Sequence, residues 1–85
     1  MNYNVRWDDA AVEDVQRVYD EALDKEAVEH AVLRITLELS SNPLSAGESR
    51  ERGTRILFKF PLVVWYHVEP RLPDVHIYQA RKTRR

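Results

Sequence analysis

The chain has 85 residues, of which 44% are apolar and 32% charged, so it can build one small globular core and not two. It has no cysteine, which excludes a disulfide framework and thiolate ligation of a metal. The net charge of −1 combines an acidic half, residues 1–48 with eleven acidic and four basic side chains, and a basic half, residues 49–85 with three acidic and nine basic ones. The basic half predicts a surface for an anionic partner, unless acidic helices and basic strands simply offset one another within the domain.

The chain also lacks the patterns of a membrane, secreted or metal-binding protein. Its longest apolar run, residues 60–66, is too short to span a bilayer, and residues 1–4 have neither the basic nor the apolar region of a signal peptide. The three histidines do not have the spacing of metal ligands. We therefore expect a cytoplasmic protein with no cofactor, no metal and no membrane partner.

The first half predicts a short strand followed by two helices. Apolar and polar residues alternate over residues 3–7, and apolar residues then keep helical spacing over residues 9–40 without glycine or proline. A single helix of that length would measure about 48 Å, whereas a domain of this size is about 30 Å across. We therefore expect a helical hairpin that breaks at Asp24-Lys25, with Asp8 capping the first helix and Asp24 the second.

The second half predicts a polar loop over residues 44–53 and then three strands, at residues 54–60, 62–68 and 74–80. The middle segment is apolar on both faces, which is typical of a central strand. The order β-α-α-β-β-β predicts an α+β fold, in which the helical hairpin packs on one face of a mostly antiparallel four-stranded sheet in a single domain over residues 1–85.

Because side chains alternate across a strand, the residues of the sheet can be sorted into two faces. The face under the helices is expected to be apolar, with Ile56, Phe58, Phe60, Leu62, Val64, Tyr66, Val68, Val75 and Ile77. The opposite face is expected to carry Arg6, Arg55, Lys59, Trp65, His67, His76 and Tyr78. Cations for phosphates and rings for bases suit the recognition of single-stranded RNA. The alternative is a face that is solvated or covered by a partner.

Four segments follow one another in an order that is recognisable as a whole. They are residues 42–50 (NPLSAGESR), 53–57 (GTRIL), 61–68 (PLVVWYHV) and 75–85 (VHIYQARKTRR), the last a strand with a basic tail. Together they resemble the RelE/ParE family, small toxins of type II toxin–antitoxin modules. The resemblance covers almost the whole chain and implies the same α+β fold, a growth-inhibiting toxin and a cognate antitoxin protein as partner.

The resemblance leaves the enzyme question open. RelE-like members cleave messenger RNA on the ribosome through attack of a 2′-hydroxyl on the adjacent phosphate, whereas ParE-like members bind DNA gyrase without catalysis. A relative without toxicity that acts as a binding module is a third possibility. Many nucleases of the family carry arginine where this chain has Val63, and a histidine where it has Lys82.

Under the nuclease hypothesis the resemblance implies a set of functional residues. The proton-handling group is His67, His76 or Tyr78, and the cations stabilise the phosphate. The candidate catalytic residues are Arg55, Lys59, His67, Tyr78 and Arg81. The candidate nucleic-acid-binding residues are Arg6, Arg55, Lys59, Trp65, Lys82, Arg84 and Arg85.

Overall fold

The fold follows the predicted order of elements, with one strand and one short helix more than predicted. A computed structural model describes residues 2–83. Its strands are β1 (Asn4–Trp7), β2 (Glu48–Ser49), β3 (Arg55–Lys59), β4 (Leu62–Glu69) and β5 (Asp74–Lys82), and its helices are α1 (Asp9–Glu21), α2 (Lys25–Ser41) and α3 (Pro43–Ala46). The α+β class is confirmed. The segment predicted as a loop contains α3 and β2, and a strand of two residues is too short to show any periodicity.

The sheet has the strand order β1-β5-β4-β3-β2. β1 runs parallel to β5, and the other neighbours are antiparallel. β4 therefore lies at the centre, as its two apolar faces predicted. The core forms between one face of the sheet and the helices, where Tyr66, Ile35, Leu39 and Ile77 are fully buried.

Two adjacent residues stabilise the helix ends at the break between α1 and α2. The Asp24 carboxylate accepts a hydrogen bond from the backbone N–H of Ala27 at 3.1 Å, which confirms the predicted cap of α2. The Lys25 ammonium turns the other way and donates to the carbonyl oxygens of Tyr19 and Ala22, at 2.9 and 3.2 Å. Because the last carbonyls of a helix lack partners within it, Lys25 stabilises the end of α1.

The predicted cap at Asp8 is wrong. Asp8 occupies the position before α1, but its side chain makes no capping hydrogen bond. Its backbone N–H donates instead to the carbonyl oxygen of Ile77 at 2.9 Å, which ties the residue to the end of the β1–β5 pairing. The carboxylate lies toward His76, with 3.9 Å between Oδ1 and Nδ1.

We expect Asp24→Ala to lower the free energy of unfolding by about 1 kcal/mol, because the Ala27 N–H loses its acceptor. Asp8→Ala is the matched control. It removes the same carboxylate from the same position of a helix, and we expect a much smaller loss because no capping bond is broken. Urea denaturation of both variants measures the difference. Equal losses would contradict this assignment of the caps.

The predicted faces of β3 are the wrong way round. Leu57 lies opposite the buried Val64 in the register and belongs to the core under the helices, so Arg55 and Lys59, two positions away on either side, also face the helices. By the same alternation Ile56 and Phe58 lie on the opposite side, where Ile56 is 6% and Phe58 49% exposed. Both alternating sets of this strand contain apolar residues, so alternation alone does not decide which set is buried.

Beyond Ile77, β5 continues without β1 beside it, because the parallel pairing covers only Asn4–Trp7 with residues 74–77. Helix α1 takes the place of the missing strand. The Asp14 carboxylate accepts a hydrogen bond from the backbone N–H of Ala80 at 3.0 Å. This contact joins α1 to the last part of β5.

Candidate functional site

The sheet face away from the helices, which we call the open face, carries rings and cations from β1, β4 and β5. Cross-strand register places Arg6 opposite His76, His76 opposite His67, and Trp65 opposite Gln79. The register between β4 and β5 shifts after Trp65, so β5 has one extra residue there, Tyr78. The open face includes Arg6, Trp65, His67, His76, Tyr78, Gln79 and Arg81, and the same alternation adds Asn4, Glu48, Glu69 and Asp74.

The centre of the open face is a stacked pair of rings, His67 on β4 and Tyr78 on β5. Their centroids are 4.8 Å apart and their planes differ by 19°. The Tyr78 hydroxyl is 3.3 Å from the Thr54 hydroxyl, to which it donates, so one ring of the pair is held at its far end. His67 is exposed, and within residues 2–83 neither of its imidazole nitrogens is hydrogen-bonded. The pair therefore presents an exposed imidazole that stacks on a tyrosine ring and is hydrogen-bonded by no described residue.

A second pair lies at the β1 side of the open face. Arg6 Nη2 is 3.2 Å from His76 Nε2, and His76 Nδ1 is 3.9 Å from Asp8 Oδ1. Arginine has no acceptor, so Arg6 is the donor to Nε2. Nε2 of His76 therefore already accepts a hydrogen bond, whereas no described residue bonds either nitrogen of His67.

A third group lies at the opposite end of the open face. The Arg81 guanidinium carbon is 5.6 Å from the ring centroid of Trp65, which is cation–π geometry. With its side-chain oxygen toward Arg81, Gln79 accepts from Nε and Nη2 of that arginine, both at 3.2 Å. Sequence reasoning missed Gln79, because the extra residue at Tyr78 changes the alternation of β5 and leaves no local signal.

The prediction that Arg55 and Lys59 belong to this face is wrong. Arg55 Nη2 donates to the carbonyl oxygens of Leu44 and Gly47, at 2.7 and 2.8 Å, on the helix side of the sheet. Lys59 forms an ion pair with Glu38 of α2, with 2.8 Å between Nζ and Oε2. These partners hold both cations away from the rings.

Of the basic tail, Lys82 lies opposite the buried Leu62 in the register, and is therefore on the helix side, where it is exposed. The predicted contacts of Arg84 and Arg85 lie outside the described residues.

Within residues 2–83, no three histidine or acidic side chains come close enough together to hold a metal ion. No helix in that range is both long and apolar enough to cross a membrane.

We expect Arg55→Ala to lower the free energy of unfolding by about 2 kcal/mol, because charge-assisted hydrogen bonds to two backbone carbonyls are lost. Arg50→Ala is the matched control, since Arg50 is exposed and pairs only locally, at 3.0 Å with Glu48 and 3.5 Å with the carbonyl of Ser49. Thermal or urea unfolding measures the free energy of unfolding of the two variants. Unchanged stability in Arg55→Ala would contradict the structural role.

Comparison with known proteins supports the fold. No protein-family model and no curated protein sequence matches the chain. Among solved structures, a chain of the toxin–antitoxin complex RelBE2 from Mycobacterium tuberculosis superposes with a TM-score of 0.79 at 22% identity, over 96% of this chain and 99% of that chain. A chain of the chromosomal ParDE system from P. aeruginosa gives 0.72 at 18%, over 95% and 96%. A chain of the intact E. coli RelBE complex gives 0.69 at 16%, over 98% and 99%.

These similarities extend over nearly the whole of each chain, so the shared architecture is not confined to one motif. The chain has the fold of the RelE and ParE toxin structures. The fold implied by the sequence resemblance is thereby confirmed.

Proposed function

We propose that this protein is the toxin of a type II toxin–antitoxin module and that its open face binds and cleaves RNA. The fold supports the first part, because the structures that share it come from toxin–antitoxin systems. One observation carries the second part. His67 stacks on Tyr78, and neither of its nitrogens is bonded by a described residue, so both can meet a substrate. The cytoplasm, where messenger RNA and ribosomes are found, is the compartment that this function requires.

The chemistry needs one group that moves protons and cations that hold phosphate. In the cleavage step the 2′-oxygen loses its proton to a base and forms a bond to the adjacent phosphorus. The bond from phosphorus to the 5′-oxygen breaks, and that oxygen takes up a proton. The products are a 2′,3′-cyclic phosphate and a 5′-hydroxyl. We assign the proton transfer from the 2′-hydroxyl to His67, because histidine is the side chain that most often acts as a general base.

The residues around His67 suit the binding of a single strand. Arg6 and Arg81 lie on the same face toward opposite ends, where each can meet a phosphate. The half-exposed ring of Trp65 can stack on a base. Tyr78 orients the imidazole by stacking, since its own hydroxyl already donates to Thr54.

The proposed protein partner is a cognate antitoxin. Residues 49–85 have a net charge of +6, from nine basic and three acidic side chains, so an acidic segment of the antitoxin would complement this half of the chain. On the open face such a segment would meet Arg81 and cover His67, whereas Arg55, Lys59 and Lys82 of the same half lie on the helix side. Neutralisation would then follow from direct occlusion of the RNA-binding surface.

Two observations favour a second candidate, a toxin that binds DNA gyrase. Arg55 and Lys59 are engaged on the helix side, so two of the five predicted catalytic residues are absent from the open face. Phe58 and Phe60 are 49% and 62% exposed, and exposed aromatic side chains are typical of protein-binding surfaces.

Controlled expression in a bacterial host separates these candidates. We expect growth arrest together with new 5′ ends in ribosome-bound messenger RNA, detected by primer extension, and unchanged supercoiling activity of gyrase mixed with the purified protein. Growth arrest with inhibited supercoiling and intact messenger RNA would favour the gyrase candidate. Normal growth at full expression of folded protein would overturn the toxin assignment.

A further inference from the structure

Asp8 has the residue type and the position of a helix cap but does not cap. Aspartate before a helix commonly accepts a hydrogen bond from one of the first free N–H groups, as Asp24 does in this chain. The Asp8 side chain makes no such bond. Its carboxylate faces the His76 imidazole across the end of β1, at 3.9 Å. Departures from local rules of this kind are typical of functional sites.

The hydrogen bond between Arg6 and His76 determines the state of the imidazole. The guanidinium can only donate, so the Nε2 that lies 3.2 Å from Arg6 Nη2 must be an unprotonated acceptor. A neutral imidazole then has its proton on Nδ1, the nitrogen that faces Asp8. The three side chains form a row. The Asp8 carboxylate, at 3.9 Å too far for a hydrogen bond, favours the Nδ1–H form of His76 through its charge, and that form accepts from Arg6.

We infer that Asp8 and His76 are positioning residues that hold Arg6 on the open face as the contact for an RNA phosphate. This inference rests on the proposed RNA-binding function. The parallel pairing of β1 with β5 places Arg6 directly opposite His76. The bond to His76 therefore keeps the Arg6 guanidinium on the open face, beside its own strand. A long side chain fixed before binding loses less conformational entropy when the ligand arrives.

The same arrangement distinguishes the two histidines, which lie opposite each other in the register of β4 and β5. His76 has its Nε2 occupied by Arg6, whereas His67 is bonded by no described residue. His76 therefore acts through Arg6, and His67 is the imidazole that meets the substrate.

Nuclear magnetic resonance tests the positioning without any reference to activity. Long-range ¹H–¹⁵N correlation spectra, recorded where histidine is neutral, report which nitrogen carries the proton. We expect the Nδ1–H form at His76 in the wild-type protein and a shift toward Nε2–H in Arg6→Met and in Asp8→Ala. His67 is the internal control and is expected to be unchanged. An Nε2–H form at His76 in the wild-type protein would overturn the inference.

Binding of a short single-stranded RNA tests whether the positioned Arg6 contacts a phosphate. The probe carries 2′-deoxy substitutions that prevent cleavage, and fluorescence anisotropy gives its affinity. We expect about a tenfold loss in Arg6→Met, since a hydrogen bond to a charged group is removed, and a similar loss in His76→Leu. His76→Gln places an amide oxygen near the position of Nε2, and we expect it to retain nearly wild-type affinity.

The outcomes separate this inference from the proposed function. Equal losses in His76→Gln and His76→Leu would show that the imidazole does more than accept from Arg6, which overturns the positioning role. A wild-type protein with the Nδ1–H form that does not bind the RNA overturns the proposed function and the phosphate contact, while the pairing of Arg6 with His76 stands.

Discussion

Replacing Gly47 with alanine is expected to lower the free energy of unfolding by about 3 kcal/mol, because the added methyl group has no space. A Cβ at position 47 would lie 2.5 Å from the carbonyl oxygen of Ile56 and 2.6 Å from the hydroxyl of Tyr66. The first atom belongs to the paired backbone of β3. The second is on a fully buried ring and donates to the Pro43 carbonyl at 2.8 Å. Neither atom can move away without breaking its own contacts.

The other glycine of the chain is the matched control. Gly53 has φ +78°, and a Cβ there would meet nothing within 4 Å, so Gly53→Ala carries only the backbone strain of a left-handed conformation, about 1 kcal/mol. Urea denaturation of the two variants gives the comparison. A domain of this kind is stable by about 5–15 kcal/mol, so the expected loss at Gly47 is a large part of the total. A smaller loss at Gly47 than at Gly53 would contradict the close packing around the loop.

Replacing His67 with alanine is expected to lower the rate of RNA cleavage by about 100-fold or more, the usual contribution of a positioned general base. The expectation follows from its stacking on Tyr78 and from its two nitrogens, which no described residue bonds. His30→Ala is the control, because His30 is an exposed histidine on α2, away from the open face. Tyr78→Phe keeps the stacking ring and loses the bond to Thr54, so we expect it to retain most of the activity.

Single-turnover cleavage of ribosome-bound messenger RNA measures these rates, with circular dichroism as the check on folding. Full cleavage by folded His67→Ala would remove this imidazole from the mechanism. Full growth inhibition by the same variant, without cleavage in either protein, would favour the gyrase candidate.

Features that rest on long patterns could be predicted from the sequence. The helical spacing over residues 9–40, together with the size of the domain, gives the hairpin and its break, and the two-sided apolar segment 62–68 gives the central strand. The two candidate caps show a feature that the sequence pattern alone does not predict. Asp24 caps its helix and Asp8 does not, although both precede a helix, because the neighbours of Asp8 come from the far end of the chain.

The candidate site was less predictable, for a reason that is visible in β3 and β5. In β3 the larger apolar set, which includes Ile56 and Phe58, suggested the wrong buried face, and the pairing of Leu57 with Val64 decides it. In β5 the extra residue at Tyr78 changes which side chains share a face, and this brings Gln79 beside Arg81. Register and bulges depend on contacts between strands, so no local window of sequence contains them.

The hydrogen bond from Ala80 to the Asp14 carboxylate also affects the tendency of the molecule to aggregate with other copies of itself. An open strand edge offers N–H and C=O groups to the strands of neighbouring molecules and so promotes edge-to-edge aggregation. Beyond the end of β1, β5 would present such an edge, and the Asp14 side chain occupies one of its donors at 3.0 Å. A single carboxylate on α1 thereby closes part of this edge to intermolecular pairing for as long as the helix stays in place.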